Sequence, residues 1–324
     1  MKKILIVADQ PGWIFERHAK EIQARLSDQF VIDIAFHNHG IATLSEGYDL
    51  VYVMDPMPNM TYPPRGKTIM GLRCEFLFRE HPDGAKGLYL RGFPGRCVSI
   101  RDKCCIFHVV NRYQYEVFRD MVIEDMPIFL AQHGVNESIF DMSKYPKNTK
   151  KELVASISGR GSENKGFDMV VDACNRAKIK YNIAGYGRGQ LAVERMPMFY
   201  NQANIHICMS QTEGLNNPIL EAGAMGLPII STKTGAAPEI IKDGENGFLI
   251  ERNVEALTEA IEKMKNPELR QSMSQKIHQE ITTNWTWKER IRDFKTLFTF
   301  YFIHQSFGNG KWGEQNWGEQ NETK

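Results

Sequence analysis

The stretch "NIHICMSQTEGLNNPILEAGAMGLPIIST", residues 204–232, holds an apolar run, a Gly- and Asn-rich turn, a Pro-led helical segment closed by Gly226, and a second apolar run. It reads as strand, turn, helix and strand. Such alternation marks parallel α/β architecture. Upstream, "LVASISG" reads as a strand, "FDMVVDACNRA" as a helix, "KYNIAG" as a strand and "MFYNQA" as a short helix. Downstream follow helix "APEIIK", strand "GFLI" and helix "VEALTEAIEKMK". The first part of the chain repeats the theme. "KKILIVAD" is a buried first strand, then come the loop "QPGW", a helix from Phe15 to Leu26, and strands "VIDIAF", "YDLVYVMD" and "KTIMGLR", with "RCVSI" and "CIFHVV" as shorter candidates. Polar "DMSKYPKNTKKE" between the two patterns reads as an interdomain linker, and the closing helix "TWKERIRDFKTLFTFYFI" is more apolar than a lone surface helix requires. The reading is thus α/β with two domains, residues 1–145 and 146–288, a helix over 289–306, and a disordered tail over 307–324 with a small Trp-Gly-Glu-Gln-Asn repeat at Trp312 and Trp317.

Composition narrows the function. With 324 residues there is room for two ordinary domains, and a net charge of +1 provides no global field for nucleic acid. The apolar run in "MKKILIVAD" is five residues long, too short for a signal-peptide core. No stretch approaches the roughly 18 apolar residues of a membrane span. The six cysteines form no Cys-x-x-Cys, so they show no zinc pattern and read as reduced thiols of a cytoplasmic protein.

Glu213 and Glu221 stand eight positions apart, one in the turn and one on the helix behind it. Asn217 and Pro218 make a good helix start. Glu213 then lies near the positive helix end, and free N–H groups around Leu215 to Asn217 face the same space. An ionised carboxylate only accepts hydrogen bonds and suits a vicinal diol, so two carboxylates suit a ligand with two diols, such as a nucleotide sugar. Taken alone, the pair reads more simply as an ordinary solvated helix face. A second constellation, "SGRGSENKGF" (158–167), follows a strand and precedes a helix. Arg160 and Lys165 there sit at the C-terminal edge of a sheet, where open α/β folds bind ligands, and two cations suit a diphosphate. Gly159, Gly161 and Gly166 allow close backbone approach. No Gly-Lys-Ser/Thr follows, so this is not a P-loop.

In this order the segments resemble the C-terminal domain of retaining GT-B glycosyltransferases of family 4. The resemblance is carried by "SGR" with "KGF" four residues on, "IAGYG", "YNQANIHICMSQTEGLNNPILEAGAMGLPIISTKTGAAPEII", "DGENGFLI" and "WTWKERI", over most of 153–291. It implies two Rossmann-like domains facing across a cleft, with the last helix crossing back to the first. It implies transfer of a hexose from a nucleotide diphosphate sugar, UDP by family default, to a hydroxyl of a glycan, lipid or small-molecule acceptor, with retention and without a metal. Carried over, Glu213 holds the donor sugar, Glu221 the ribose diol, and Arg160 and Lys165 the diphosphate. The backbone of Gly214, Leu215, Asn216 and Asn217 faces the donor with Gly185, and Gly12 lets the first domain close over it. The pattern departs where the family has a histidine near the sugar. "KTIMGLRCEF" offers Arg73 and Glu75 instead, with His81 and His108 off pattern. The insert that helps cradle the base is reduced to "RGQLAVERMP". Trp13 is a candidate sugar-stacking residue. Residues 65 to 112 carry ten Lys or Arg against four acids, a solvated face or a weak contact for anionic lipid. A nucleotide-sugar epimerase of this fold and a non-catalytic nucleotide-sugar or glycan binder remain open alternatives.

Overall fold

The computed structural model describes residues 1–56, 60–72, 78–79, 89–91, 97–99, 102–121, 126–145, 152–159, 163–185 and 191–305. Its strands are β1 (Lys2–Ala8), β2 (Phe30–Phe36), β3 (Leu50–Val53), β4 (Thr68–Leu72), β5 (Phe78–Arg79), β6 (Tyr89–Arg91), β7 (Cys97–Ser99), β8 (Ile106–Val109), β9 (Ile128–Leu130), β10 (Val154–Gly159), β11 (Lys180–Gly185), β12 (Ile205–Cys208), β13 (Ile229–Thr232) and β14 (Gly247–Ile250). Its helices are α1 (Ile14–Leu26), α2 (Ile41–Leu44), α3 (Arg112–Met121), α4 (Phe167–Arg176), α5 (Met196–Asn201), α6 (Asn217–Ala224), α7 (Ala237–Ile240), α8 (Val254–Lys263), α9 (Pro267–Asn284) and α10 (Trp287–Gln305).

Two parallel sheets organise the chain, with strand orders β2-β1-β3-β4-β8-β9 and β11-β10-β12-β13-β14. Each begins inside, steps to one edge, then returns past its first strand. The direction therefore reverses between β1 and β3 and between β10 and β12, and ligand crevices open at such switch points beyond the strands' carboxyl ends. The apolar run Ile4–Ala8 is buried throughout, as befits a central strand covered on both faces. "RCVSI" supplies β7, which pairs antiparallel with β6 in a separate three-stranded sheet. Five residues join β6 to β7, too few for a parallel crossover.

The apolar excess of the last helix has a partner. Trp287, Phe294, Leu297, Phe298 and Tyr301 of α10 are buried in one cluster with Ile4, Ile22 and Tyr52 of the first half. Each such side chain contributes about 1.5–3 kcal/mol over exposure. The Tyr301 hydroxyl also donates to the Asp49 carbonyl at 2.9 Å. No described helix is long and apolar enough to cross a membrane.

The chain's two passages between the halves run beside each other. The Val135 amide donates to Trp285 O at 2.8 Å, and the Trp287 amide donates to Val135 O at 3.0 Å. Only glycine fits at position 134, because a Cβ there would lie 2.2 Å from the Thr286 carbonyl carbon and 2.3 Å from the Trp287 nitrogen. Gly134→Ala should therefore destabilise the protein by about 1–3 kcal/mol in urea unfolding, the range of core overpacking. Wild-type stability would show that this crossing does not need its close approach.

Candidate active site

The switch point of the second sheet sets the loop after β10 beside the turn after β12, and side chains sew them together. Asn164 accepts the Thr212 amide at 3.0 Å and donates to the Thr212 carbonyl at 3.1 Å. The Gln211 amide donates to the Asn164 carbonyl at 2.8 Å. Arg252 bridges from below, donating to the carbonyls of Met209 at 3.0 Å and Glu163 at 2.9 Å. Gly166 begins α4 in the left-handed region with φ 62°, and a Cβ there would lie 2.8 Å from the Met209 carbonyl.

That framework presses Lys165 against Glu213, whose Oε1 accepts from both the Lys165 ammonium and the Ser210 hydroxyl. A cation and an acid read from different loops thus form one ion pair. No described contact uses Glu213 Oε2, which keeps acceptor capacity. Arg160 and Gly161 lie outside the described residues.

Glu221 lies on the second turn of α6 and is 7% exposed. Its Oε2 accepts from the Tyr200 hydroxyl at 2.9 Å, and Arg17 Nη2 of α1 stands 3.4 Å from Oε1. Ser158 Oγ shares a hydrogen bond with the Tyr200 hydroxyl at 3.0 Å. Burial raises the Glu221 pKa, opposed by the Arg17 charge and the Tyr200 bond. A carboxylate offers about four lone-pair positions, so two partners leave room for a diol.

The helix starts one residue earlier than the sequence suggests. Asn216 is the N-cap, without a side-chain capping bond, and Asn217 is the first helical residue. The Asn216 amide turns inward to Cys208 Sγ at 2.8 Å, while the Asn217 Oδ1 meets His18 Nε2 at 3.1 Å. Leu215 is also buried, so at Leu215 and Asn216 the backbone is what the turn offers a ligand.

Gly185 has φ 88°, and a Cβ would lie 2.1 Å from the Gly159 carbonyl, so it serves close packing of the β10 and β11 ends. Gly12 also has a left-handed φ of 78°, but nothing lies within 4 Å of a Cβ there. Its amide donates to Glu16 Oε2 at 2.6 Å. Trp13 caps α1 and is partly exposed. Arg73, Glu75 and His81 lie outside the described residues, as does most of the basic stretch. His108 is wholly buried: its Nε2–H donates to the Ala131 carbonyl at 2.6 Å, which leaves Nδ1 to accept the Tyr52 hydroxyl at 2.8 Å. It is a core bridge. Among the described residues no three His, Cys, Asp or Glu side chains converge as a metal site requires.

The first half also grips the turn directly. Buried Asn111 donates to the Gly214 carbonyl at 3.0 Å and accepts the Gln114 amide at 2.7 Å. The Ala236 amide donates to the same carbonyl at 2.9 Å, and a Cβ on Gly235 would lie 2.2 Å from it. Nearby, Glu239 accepts the Arg112 amide at 2.7 Å and Gln132 Nε2 at 3.0 Å. Sequence reading passed over Asn111, Arg17, Tyr200 and Glu239. Glu239 lies in "AAPEII", part of the stretch that carries the resemblance, and Asn111 directly follows the strand candidate "CIFHVV". Asn111→Ala should cost about 1–3 kcal/mol in denaturant unfolding, because a buried partner is lost. Asn111→Asp should cost more at neutral pH, since a carboxylate then faces the Gly214 carbonyl. Equal stability of both variants and wild type would remove this contact from the account.

Known proteins resemble this chain in sequence and in fold. The family Glycosyl transferases group 1 matches residues 152–266. The N-acetyl-alpha-D-glucosaminyl L-malate synthase of Bacillus anthracis is 26% identical over 206 residues, covering 58% of this chain and 52% of that protein. The capsular polysaccharide biosynthesis glycosyltransferase CapM of Staphylococcus aureus is 31% identical over 105 residues, 31% of this chain and 28% of CapM. The chain thus spans about half or less of these two curated relatives. In structure, sucrose-phosphate synthase from Thermosynechococcus elongatus superposes with a TM-score of 0.69 at 12% identity, over 94% of this chain and 100% of that one. HepE of Anabaena, solved with UDP and glucose, gives 0.65 at 11% identity over 93% and 100%. The protein has the two-domain GT-B fold, and its residues 152–266 match the Glycosyl transferases group 1 family.

Proposed function

We propose that the protein transfers a hexose from a nucleotide diphosphate sugar, a UDP-sugar by family default, to a hydroxyl of a glycan, lipid or small-molecule acceptor, with retention at the anomeric carbon. The observation that carries this reading is the convergence of Glu213 with Lys165 while Glu221, one helical stretch away, faces α1 of the other half. In the reading, Glu213 accepts from the sugar's hydroxyls and Glu221 from the ribose diol. Lys165 moves from Glu213 to the diphosphate, where the N–H groups opening α6 add their positive end. No metal is called on. The anomeric carbon–phosphate oxygen bond breaks as the bond from the acceptor oxygen forms on the same face. The acceptor proton passes to the leaving phosphate oxygen, so no protein nucleophile is required. The HepE complex with UDP and glucose supports a donor of this class.

Two tests follow. Glu213→Ala should lower turnover of a UDP-sugar about 100-fold or more, measured by NMR of released nucleotide, while nucleotide diphosphate affinity changes less than about threefold. NMR of the product should show the donor's anomeric configuration. Undiminished turnover in the variant, or an epimerised donor as the product, would overturn the assignment. The second test is pH. Protonation turns Glu221 from a pure acceptor into a donor, so nucleotide affinity should fall as pH is lowered. Because burial raises this group, the fall should be centred above the ordinary 4.5. Glu221→Gln should abolish that pH step in calorimetry, and a step unchanged by the substitution would assign it to another group.

A further inference from the structure

Behind Glu221 a short chain of hydroxyls ends at the strand that leads into the loop of Lys165. Tyr200 on α5 is wholly buried, out of reach of any ligand. Its ring packs edge-on against His206 of β12, with centroids 5.6 Å apart, and tilted against Phe140 at 6.4 Å. His206 is fixed in turn, because its Nδ1 shares a hydrogen bond with Ser156 Oγ at 3.0 Å. Packing therefore sets where the Tyr200 hydroxyl lies. That hydroxyl has one proton to give, and an ionised carboxylate only accepts. Tyr200 thus donates to Glu221 Oε2 at 2.9 Å and accepts from Ser158 Oγ at 3.0 Å. Burial holds the phenol well above its usual pKa, so it keeps that proton at neutral pH. Ser158 stands one residue before Gly159, the end of β10. A Cβ on Gly159 would lie 3.6 Å from Lys165 Cε, so the lysine stem passes over the strand there. One short piece of β10 backs both the Lys165 ammonium and, through Tyr200, the Glu221 carboxylate.

We propose, on the reading of Glu221 as the ribose ligand, that Tyr200 and Ser158 are positioning residues for the transfer: their relay aims Glu221 at the diol and ties its place to that of Lys165. A carboxylate that grips a diol has to stay ionised and hold still. Arg17 serves this only loosely, since it stands 3.4 Å from Oε1 on a side chain 38% exposed. The Tyr200 bond is shorter and comes from a ring locked in the core. It favours the charged form of Glu221 against the opposing effect of burial.

Calorimetry of UDP, GDP and ADP on the full chain across pH, following the tightest binder, tests this. Arg17, His18, Lys20 and Glu21 of α1 and Glu194 ahead of α5 line the cavity beside Glu221. His206, behind Tyr200, is pushed down to about 3 by burial and stays neutral. All of these are the same in the variants, so a displaced pH step reports the relay. Tyr200→Phe keeps the ring and removes one hydrogen bond to a charged group. The loss of affinity on acidification should then be centred about one pH unit higher, a tenfold gain in the proton affinity of Glu221. Above the step, affinity should fall about threefold or more, because the carboxylate loses its aim. Ser158→Ala should move the step in the same direction by less, and it decides alone if Tyr200→Phe does not fold. A side chain that only packs would lower the melting temperature and leave the step in place. A step that Glu221→Gln abolishes but neither relay variant moves keeps the ribose reading and overturns this inference. A step moved by Tyr200→Phe and not by Ser158→Ala overturns the tie to β10. If wild type binds none of the three nucleotides, or shows no step that depends on Glu221, the ribose reading itself fails and takes the relay with it.

Discussion

The Gly214 carbonyl is the point on which the site depends. It accepts one hydrogen bond from its own half, through Ala236, and one from the other half, through Asn111. Both donors are buried. The turn bearing Glu213 and the N–H groups that open α6 therefore hold their positions only while the two sheets face each other as they do here. The backbone crossing at Gly134 fixes that arrangement from the hinge side, and the Glu239 contacts with Arg112 and Gln132 reinforce it from the site side. The contacts between the halves thus run through the turn that bears Glu213.

Electrostatics within this frame is arranged as exchange. Without a ligand, Lys165 and Glu213 neutralise each other, which removes the cost of an isolated partly buried charge on either. A donor carrying both hydroxyls and phosphates can satisfy the two groups separately. Glu221 is the costlier charge, because it is nearly dry and its pKa is raised by burial. Tyr200 and Arg17 offset part of that cost while leaving acceptor positions open. The site is preorganised by side chains that only partly fill one another's hydrogen-bonding capacity.

Much of the fold was legible in the sequence, for a local reason. Runs such as Ile4–Ala8 and Ile205–Cys208 must be buried strands, and the helices between them are marked by their spacing of apolar residues. Glu213, Glu221 and Lys165 were legible because each sits in a short segment with its own turn chemistry. What escaped has the opposite character. Asn111 reaches a carbonyl 103 positions away, and Arg17 faces a carboxylate 204 positions away. Nothing within a window of sequence predicts such meetings. The helix cap shifted from Asn217 to Asn216 because burial against Cys208, a tertiary contact, claims the Asn216 amide. His108 has the residue type of a catalytic group, yet the carbonyl of Ala131 and the hydroxyl of Tyr52 occupy both ring nitrogens.

The central claim is that a nucleotide sugar is gripped by a diol-binding carboxylate on α6. Thermal unfolding of wild type and Glu221→Gln against UDP-, GDP-, ADP- and TDP-sugars tests it most directly, because a ligand bound only by the folded state raises the transition temperature. A rise with at least one donor in wild type, lost in Glu221→Gln, is the predicted result. No rise with any donor, or an equal rise in the variant, would contradict it.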